Sequence, residues 1–237
     1  NYPCTKGKET PQRFYLKTYF LGQRLVPGYY TLFLSFMSSK THQLVFFDFD
    51  GTLYRGDSLL DFCLFFYRKN PHRLRFLLKQ FYAFILWRWG RIDTTEFKSR
   101  FMAFLHRDPL EKVEQVVGAF WNGRSSFNPE VVSALKEAQK QGFTCILVSA
   151  SPDVLLAPMK KEFQFDEIIG TVAFCFEEGW GLGVNCRGAE KWKRITEKYP
   201  SFSLHKAYSD NKDDQDILKK AAEGFVVYKG KISLLKD

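Results

Sequence analysis

Leu44-Val45-Phe46-Phe47 is an apolar run with no polar alternation, and it closes on Asp48-Phe49-Asp50-Gly51-Thr52. A strand that is apolar on successive residues needs cover on both faces, which predicts a buried strand of a parallel sheet. Phe143 to Val148 repeats the pattern and runs into Ser149-Ala150-Ser151-Pro152-Asp153, which is expected to open a helix. Leu204 to Tyr208 predicts another strand, leading into Ser209-Asp210. Between these lie an amphipathic helix, Val131 to Gln141, stopped by Gly142, and a second helix over Lys191 to Tyr199. Ile168 to Phe176 and Gly183 to Cys186, around Glu177-Glu178-Gly179-Trp180-Gly181, read as a β-hairpin. The stretch from Ser58 to about Val117 reads helical, punctuated by Asn70-Pro71, Gly90 and Asp108-Pro109. Strands alternating with helices make an α/β fold. The helical stretch is too long for one crossover and predicts a separate lobe.

Charge changes this picture in one place. The net charge of +9 is uneven: residues 62–107 hold ten Lys/Arg against Asp93 and Glu96, and residues 1–42 hold six against one Glu. A basic middle set against an acidic remainder outside these two stretches points to anionic partners such as phosphate esters, lipid headgroups or nucleic acid, or to a plain solvated face. Aromatic residues reach 17%, enough to demand a large core or an apolar contact surface. No run approaches the ~18 apolar residues of a spanning helix. The five cysteines form no CxxC pattern and the four histidines are scattered, so neither a zinc site nor a disulfide scaffold is indicated and a His-based metal site or a Ser/His triad has little support. A reducing cytoplasm fits best. Residues 1–42 are unlike the rest and are read as an N-terminal extension without a secretory cleavage pattern, with Met37 as a candidate start.

The chemistry collects at the predicted strand ends. Asp48 and Asp50 follow the first strand, where open α/β sheets hold their ligands, and Gly51 permits a sharp turn. Ser149 follows the second strand, Lys191 opens a helix, and Asp210 and Asp214 follow the last strand. Singly, each has a plain use: Ser149 and Ser151 as helix caps, Lys191 as a surface lysine, the aspartates as an acidic turn. Together they suit phosphoryl transfer to a carboxylate. One aspartate attacks phosphorus, and a second moves the proton of the leaving group and then of water. Clustered carboxylates call for a hard cation such as Mg²⁺. A hydroxyl, a lysine and backbone N–H groups hold the phosphate oxygens.

Asp48-Phe49-Asp50-Gly51-Thr52-Leu53 resembles motif I of the haloacid dehalogenase (HAD) superfamily, and Val148-Ser149-Ala150-Ser151 resembles motif II. The Lys191 segment resembles motif III of the phosphoserine phosphatase-like subfamily IB, and Ala207 to Asp214 resembles motif IV. The resemblance implies a Rossmann-like core with a parallel central sheet over 43–56 and 125–237, a helical cap inserted at 57–124, and a β-hairpin. It implies Asp48 as nucleophile and Asp50 as general acid/base. It also implies phosphate ligands at Ser149, Lys191, Thr52 and Ala150. Mg²⁺ would then be held by Asp48, the Asp50 backbone carbonyl and Asp210, with Asp214 in support; Asp213 is the rival to Asp214.

In phosphoserine phosphatases of this subfamily a Glu occupies the place of Asp57, and a cap arginine, which Arg100 matches weakly, reads the substrate. The Asp57 departure argues against phosphoserine. The cap run Phe76 to Trp89, flanked by Arg73, Arg75, Lys79, Arg88 and Arg91, is apolar nearly all round. It is read as packing the cap onto the core or a second subunit. The alternative is contact with a membrane interface, like the apolar cap of the phosphatidylglycerophosphatase C type. The functional expectation is a Mg²⁺-dependent phosphatase of a small soluble metabolite, or else of a lipid phosphate at the inner membrane face. A third reading is an idle HAD-like binding module; nucleic acid is not expected, since no recognised motif for it accompanies the basic cap.

Overall fold

In β1 (His42–Phe47), Leu44 and Phe46 face one side of the sheet while Val45 and Phe47 face the other, and all four are fully buried. Helices cover both sides, which is why the strand carries no polar alternation. The computed structural model describes residues 42–177 and 179–235, so Met37 and the predicted extension, apart from His42, which opens β1, lie outside the described residues.

β1 sits inside a six-stranded sheet with β2 (Thr144–Pro152) and β3 (Glu167–Thr171) on one side. On the other lie β6 (Phe202–Ser209), β7 (Glu223–Tyr228) and β8 (Lys231–Leu234). All neighbours run parallel except the β7–β8 pair. The chain first builds outward from β1 through β2 to β3, then crosses to the far side to lay down β6. The β1–β6 boundary is therefore the topological switch point, where the carboxyl ends of the strands leave a crevice. Register makes the placement specific: Phe47 pairs with Leu147 on one side and Tyr208 on the other. Asp48 and Ser209 therefore leave the sheet at one level, with Ser149 a residue further on.

The 58–117 block folds as α1 (Ser58–Lys69), a short 3₁₀ turn, α2 (Leu77–Arg88), α3 (Thr94–Phe101), a second 3₁₀ turn and α4 (Leu110–Trp121). Asp57 and Asp93 cap α1 and α3, their carboxylates accepting from the Leu60 and Glu96 amides. Phe62, Phe66, Phe104 and Phe120 meet edge-on at 5.3–5.8 Å, the arrangement aromatic quadrupoles favour. This lobe is continuous with the sheet's core through Trp121 and Tyr54, which pack edge-to-face at 5.3 Å. After α4 come α5 (Pro129–Lys140), α6 (Asp153–Glu162), α7 (Ala189–Lys198) and α8 (Gln215–Lys220).

Two expectations change. The apolar stretch Ile168 to Phe176 is not one hairpin strand: its first half is edge strand β3. The hairpin is formed by β4 (Ala173–Phe176) and β5 (Gly179–Leu182), earlier than Gly183 to Cys186. Gly179 accepts φ 150 where β5 begins. The second concerns α2 and its packing onto the core. Only Gln80 and Ala83 of that helix are buried, whereas Leu78, Phe81 and Tyr82 are 77, 62 and 59% exposed. Packing onto the core therefore accounts for one side of the helix and leaves its apolar side uncovered.

The lobe closes on the rest along one side of α3. Lys98 Nζ donates to the Ala150 carbonyl (2.9 Å) and to Asn185 Oδ1 (3.0 Å). Thr95 Oγ1 accepts from the Asn185 amide (3.4 Å) and Ser99 Oγ from the Leu182 amide (3.1 Å). Spacing of three and four residues puts these side chains on one helical face.

Candidate active site

The chain leaving β1 turns back at once: the Asp48 amide continues the ladder to Tyr208, while the Thr52 and Tyr54 amides both return to the Phe49 carbonyl. Gly51 makes the turn at φ 76, and a Cβ there would lie 2.1 Å from Asp210 Oδ2. Glycine is needed at this point for both the left-handed backbone and the approach of the carboxylate.

At the floor, Lys191 is 1% exposed and spans two carboxylates, Asp48 Oδ1 at 2.7 Å and Asp214 Oδ2 at 2.6 Å. Burial alone would lower its pKa. The two aspartates outweigh that and hold it up at about 12, so the ammonium stays charged. Ser209 Oγ stands 2.7 Å from Asp214 Oδ2 and 3.3 Å from Asp48 Oδ2. This is no surface lysine in a charged helix. Asp214 is fully buried, whereas Asp213 is exposed and pairs with Arg187, so Asp214 is the residue brought to the cluster.

Asp50 turns away from that floor. Its carboxylate accepts from the Ser58 amide, the first helical N–H of α1, at 2.7 Å, and from Ser151 Oγ at 2.5 Å. Burial raises its pKa to about 6 against the opposing pull of these hydrogen bonds. Ser149 Oγ accepts from the Ser151 amide, and β2 runs on to Pro152, which heads α6 with no side-chain cap. Neither serine is therefore an N-cap. Asp210 is held by Thr52, whose hydroxyl donates to Asp210 Oδ1 (3.2 Å) and accepts from the Asp210 amide (2.9 Å). Thr52 thus positions Asp210. Ala150 offers its carbonyl to Lys98 and to Thr171 Oγ1.

The donors fit a hard divalent cation. Asp210 is raised to about 6, first by burial and then by the neighbouring Asp48. Asp214 is raised by burial, and its Oδ1 has no hydrogen-bond partner. Both observations describe carboxylates short of positive charge. Among the described residues no three acidic, His or Cys side chains enclose an ion. An ion would therefore bind through Asp48, Asp210 and backbone or water oxygens, the partly hydrated manner of Mg²⁺.

Of the two cap residues singled out for specificity, Asp57 lies close enough to Asp50 for its charge to raise that carboxyl, whereas Arg100 stays on the cap surface. Asp57 is the α1 cap, and Arg100 is exposed and pairs with Glu96 at 2.6 Å. The cap cation that reaches the cluster is Lys98, two residues earlier. Its pKa is lowered by burial, against the pull of Asp50 and Asp57, and it bonds only neutral oxygens. Lys98, Ser58, Ser151 and Ser209 were not singled out from sequence as site residues; only Ser151 and Ser209, beside motif residues, carried a signal that could have found them.

Residues 45–219 match the profile of the haloacid dehalogenase-like hydrolases. The protein CicA of Caulobacter vibrioides is 31% identical over 196 residues, covering 79% of this chain and 87% of CicA. A protein of unknown function from Bordetella pertussis superposes with a TM-score of 0.65 at 19% identity, over 76% of this chain and 87% of its own. A phosphoserine phosphohydrolase-like protein from Francisella tularensis gives 0.51 at 16% identity, over 77% and 85%. At these identities the two superpositions speak for the fold.

Proposed function

Because this chain belongs to the haloacid dehalogenase-like hydrolases, we propose that it is a Mg²⁺-dependent phosphatase that hydrolyses the phosphate monoester of a small metabolite through an aspartyl phosphate. The carrying observation is the contrast between two aspartates two residues apart. Asp48 lies against a charged lysine, while Asp50 has a pKa raised to about 6 and can carry a proton near neutrality.

An Asp48 oxygen attacks phosphorus and forms the acyl phosphate as the bond to the leaving oxygen breaks, and Asp50 delivers its proton to that oxygen. Asp50, now ionised, takes a proton from the water that attacks the same phosphorus. The acyl phosphate bond then breaks, inorganic phosphate leaves and the Asp48 carboxylate returns. Lys191 stands at Asp48 and would meet the phosphate charge, and Ser149, on the neighbouring strand β2, would hold a phosphate oxygen. Asp48 and Asp210, with the Asp50 carbonyl, would hold Mg²⁺, and Asp214 would back them. When bound, the ion neutralises the carboxylate cluster and the phosphate oxygens.

The same chemistry on a lipid phosphate is favoured by one observation, the exposed apolar side of α2. Phosphate release from a panel of sugar phosphates, nucleotides, phosphoserine and a lipid phosphate in mixed micelles separates the two. Loss of all turnover with EDTA and in Asp48→Asn is expected; an active Asp48→Asn protein would overturn the assignment. Turnover confined to the lipid would move the substrate to the second reading, and silence throughout would favour a binding module.

A further inference from the structure

We infer that the outer side of α2 is a docking surface for an anionic lipid bilayer. The helix is inside out by the ordinary rule: a polar Gln80 and a small Ala83 are its buried residues. Gln80 is used there, accepting from Tyr67 Oη and donating to the Phe101 carbonyl. Leu78, Phe81 and Tyr82, at helical spacing of three and four, point the other way, and Trp89 beyond the end is 73% exposed. Ten of the thirteen large hydrophobic residues exposed among the described residues fall between Leu60 and Trp89. A soluble surface scatters such residues; concentration marks a contact.

Charge decides the occupant. Residues 71–92 contain Arg73, Arg75, Lys79, Arg88 and Arg91 and no acidic residue. Arg73 is taken up by Asp108 at 3.0 Å; Arg75, Lys79 and Arg88 are exposed. On the helical wheel Lys79 and Arg88 flank the Leu78–Phe81–Tyr82 stripe on opposite sides. A second copy of this chain, meeting the same face about a two-fold axis, would set these cations against themselves. An anionic bilayer instead takes apolar side chains at headgroup depth and attracts each cation, while Tyr and Trp settle at the interface. At 12 residues, ~18 Å at 1.5 Å per residue, α2 is too short to cross, so it would lie in the interface plane. This inference stands apart from the proposed chemistry, because it uses no residue of the Asp48 cluster.

Sedimentation with vesicles of phosphatidylglycerol and phosphatidylcholine, against phosphatidylcholine alone, tests it, using the full chain and its Asp48→Asn variant. Both are expected to bind the anionic vesicles, less at high salt, and neither to bind the neutral ones. Lys79→Gln with Arg88→Gln is expected to lower partitioning about 25-fold, at roughly fivefold per interfacial cation. Leu78→Gln with Phe81→Gln and Trp89→Gln is expected to abolish it, with thermal unfolding unchanged because all three are exposed. Equal binding by the parent and the apolar variant would overturn the inference, as would indifference to vesicle charge. A concentration-dependent dimer that the apolar variant dissolves would overturn it too, and assign the face to a second copy.

Discussion

Lys191→Met removes the cation from a buried pair of carboxylates while nearly keeping its volume. Lys191 makes two charge-assisted bonds, at 2.7 and 2.6 Å, to Asp48 and Asp214, and none of the three has solvent to fall back on. Deleting one partner of such a buried group costs about 3–5 kcal/mol, because the remaining charges are left uncompensated. For a chain of 237 residues that lowers Tm by roughly 6–20 °C. The loss has a pH signature. Asp214 is already raised by burial, and Lys191 is what restrains it, so the variant moves it higher. A carboxyl raised in the folded state contributes stability below its unfolded pKa and loses it as pH rises through the folded value. The deficit relative to the parent should therefore be largest near pH 8 and shrink toward pH 4. Thermal unfolding of both proteins, in EDTA to keep metal from masking the effect, reads this directly. A deficit that stays constant over that range, or a Tm within about 2 °C of the parent, would refute the account of Lys191 as the counter-charge.

Asp50→Asn is expected to raise the Tm of the metal-free protein above pH 6 and leave it unchanged near pH 4, since the parent's raised Asp50 loses stability between 3.8 and about 6. The same variant should release no phosphate. Gly51→Ala drives a Cβ to 2.1 Å from Asp210 Oδ2 and strains a φ of 76, so turnover should fall by about 100-fold or more, with weakened Mg²⁺ binding by calorimetry. Lys98→Met removes two bonds from the cap to the core, and kcat/KM should fall about tenfold or more, with Lys98→Arg recovering only part of it.

Much of the floor was legible because its residues lie at the ends of apolar runs, which a sequence shows directly. Asp48 and Asp210 follow the last residues of their strands and Ser149 follows the apolar run inside β2, and parallel register does the rest. The cap was not legible at the same depth. Helical periodicity puts Lys98 and Arg100 on different sides of α3, yet nothing local says which side faces the core. That choice is made by the Asn185 and Ala150 oxygens, roughly ninety and fifty residues away in sequence. The α2 face was not legible for a related reason: an all-round apolar run gives no direction, and the buried side is the one carrying Gln80. The hairpin slipped because Ile168 to Phe176 is uniformly apolar, and only pairing to β2 shows where the sheet ends and the hairpin begins.

The α3 seam also has a kinetic consequence. Its four hydrogen bonds, from Thr95, Lys98 and Ser99, are individually worth about 0.5–1.5 kcal/mol net, so together they favour the closed lobe by roughly 2–6 kcal/mol. Counted on those bonds alone, the open lobe is populated between about 3% and 0.004% of the time. Any ligand that must pass the seam then enters at its diffusional rate multiplied by that fraction, and phosphate leaves through the same interval. The throughput of the molecule would then depend in part on how often Thr95, Lys98 and Ser99 let go together.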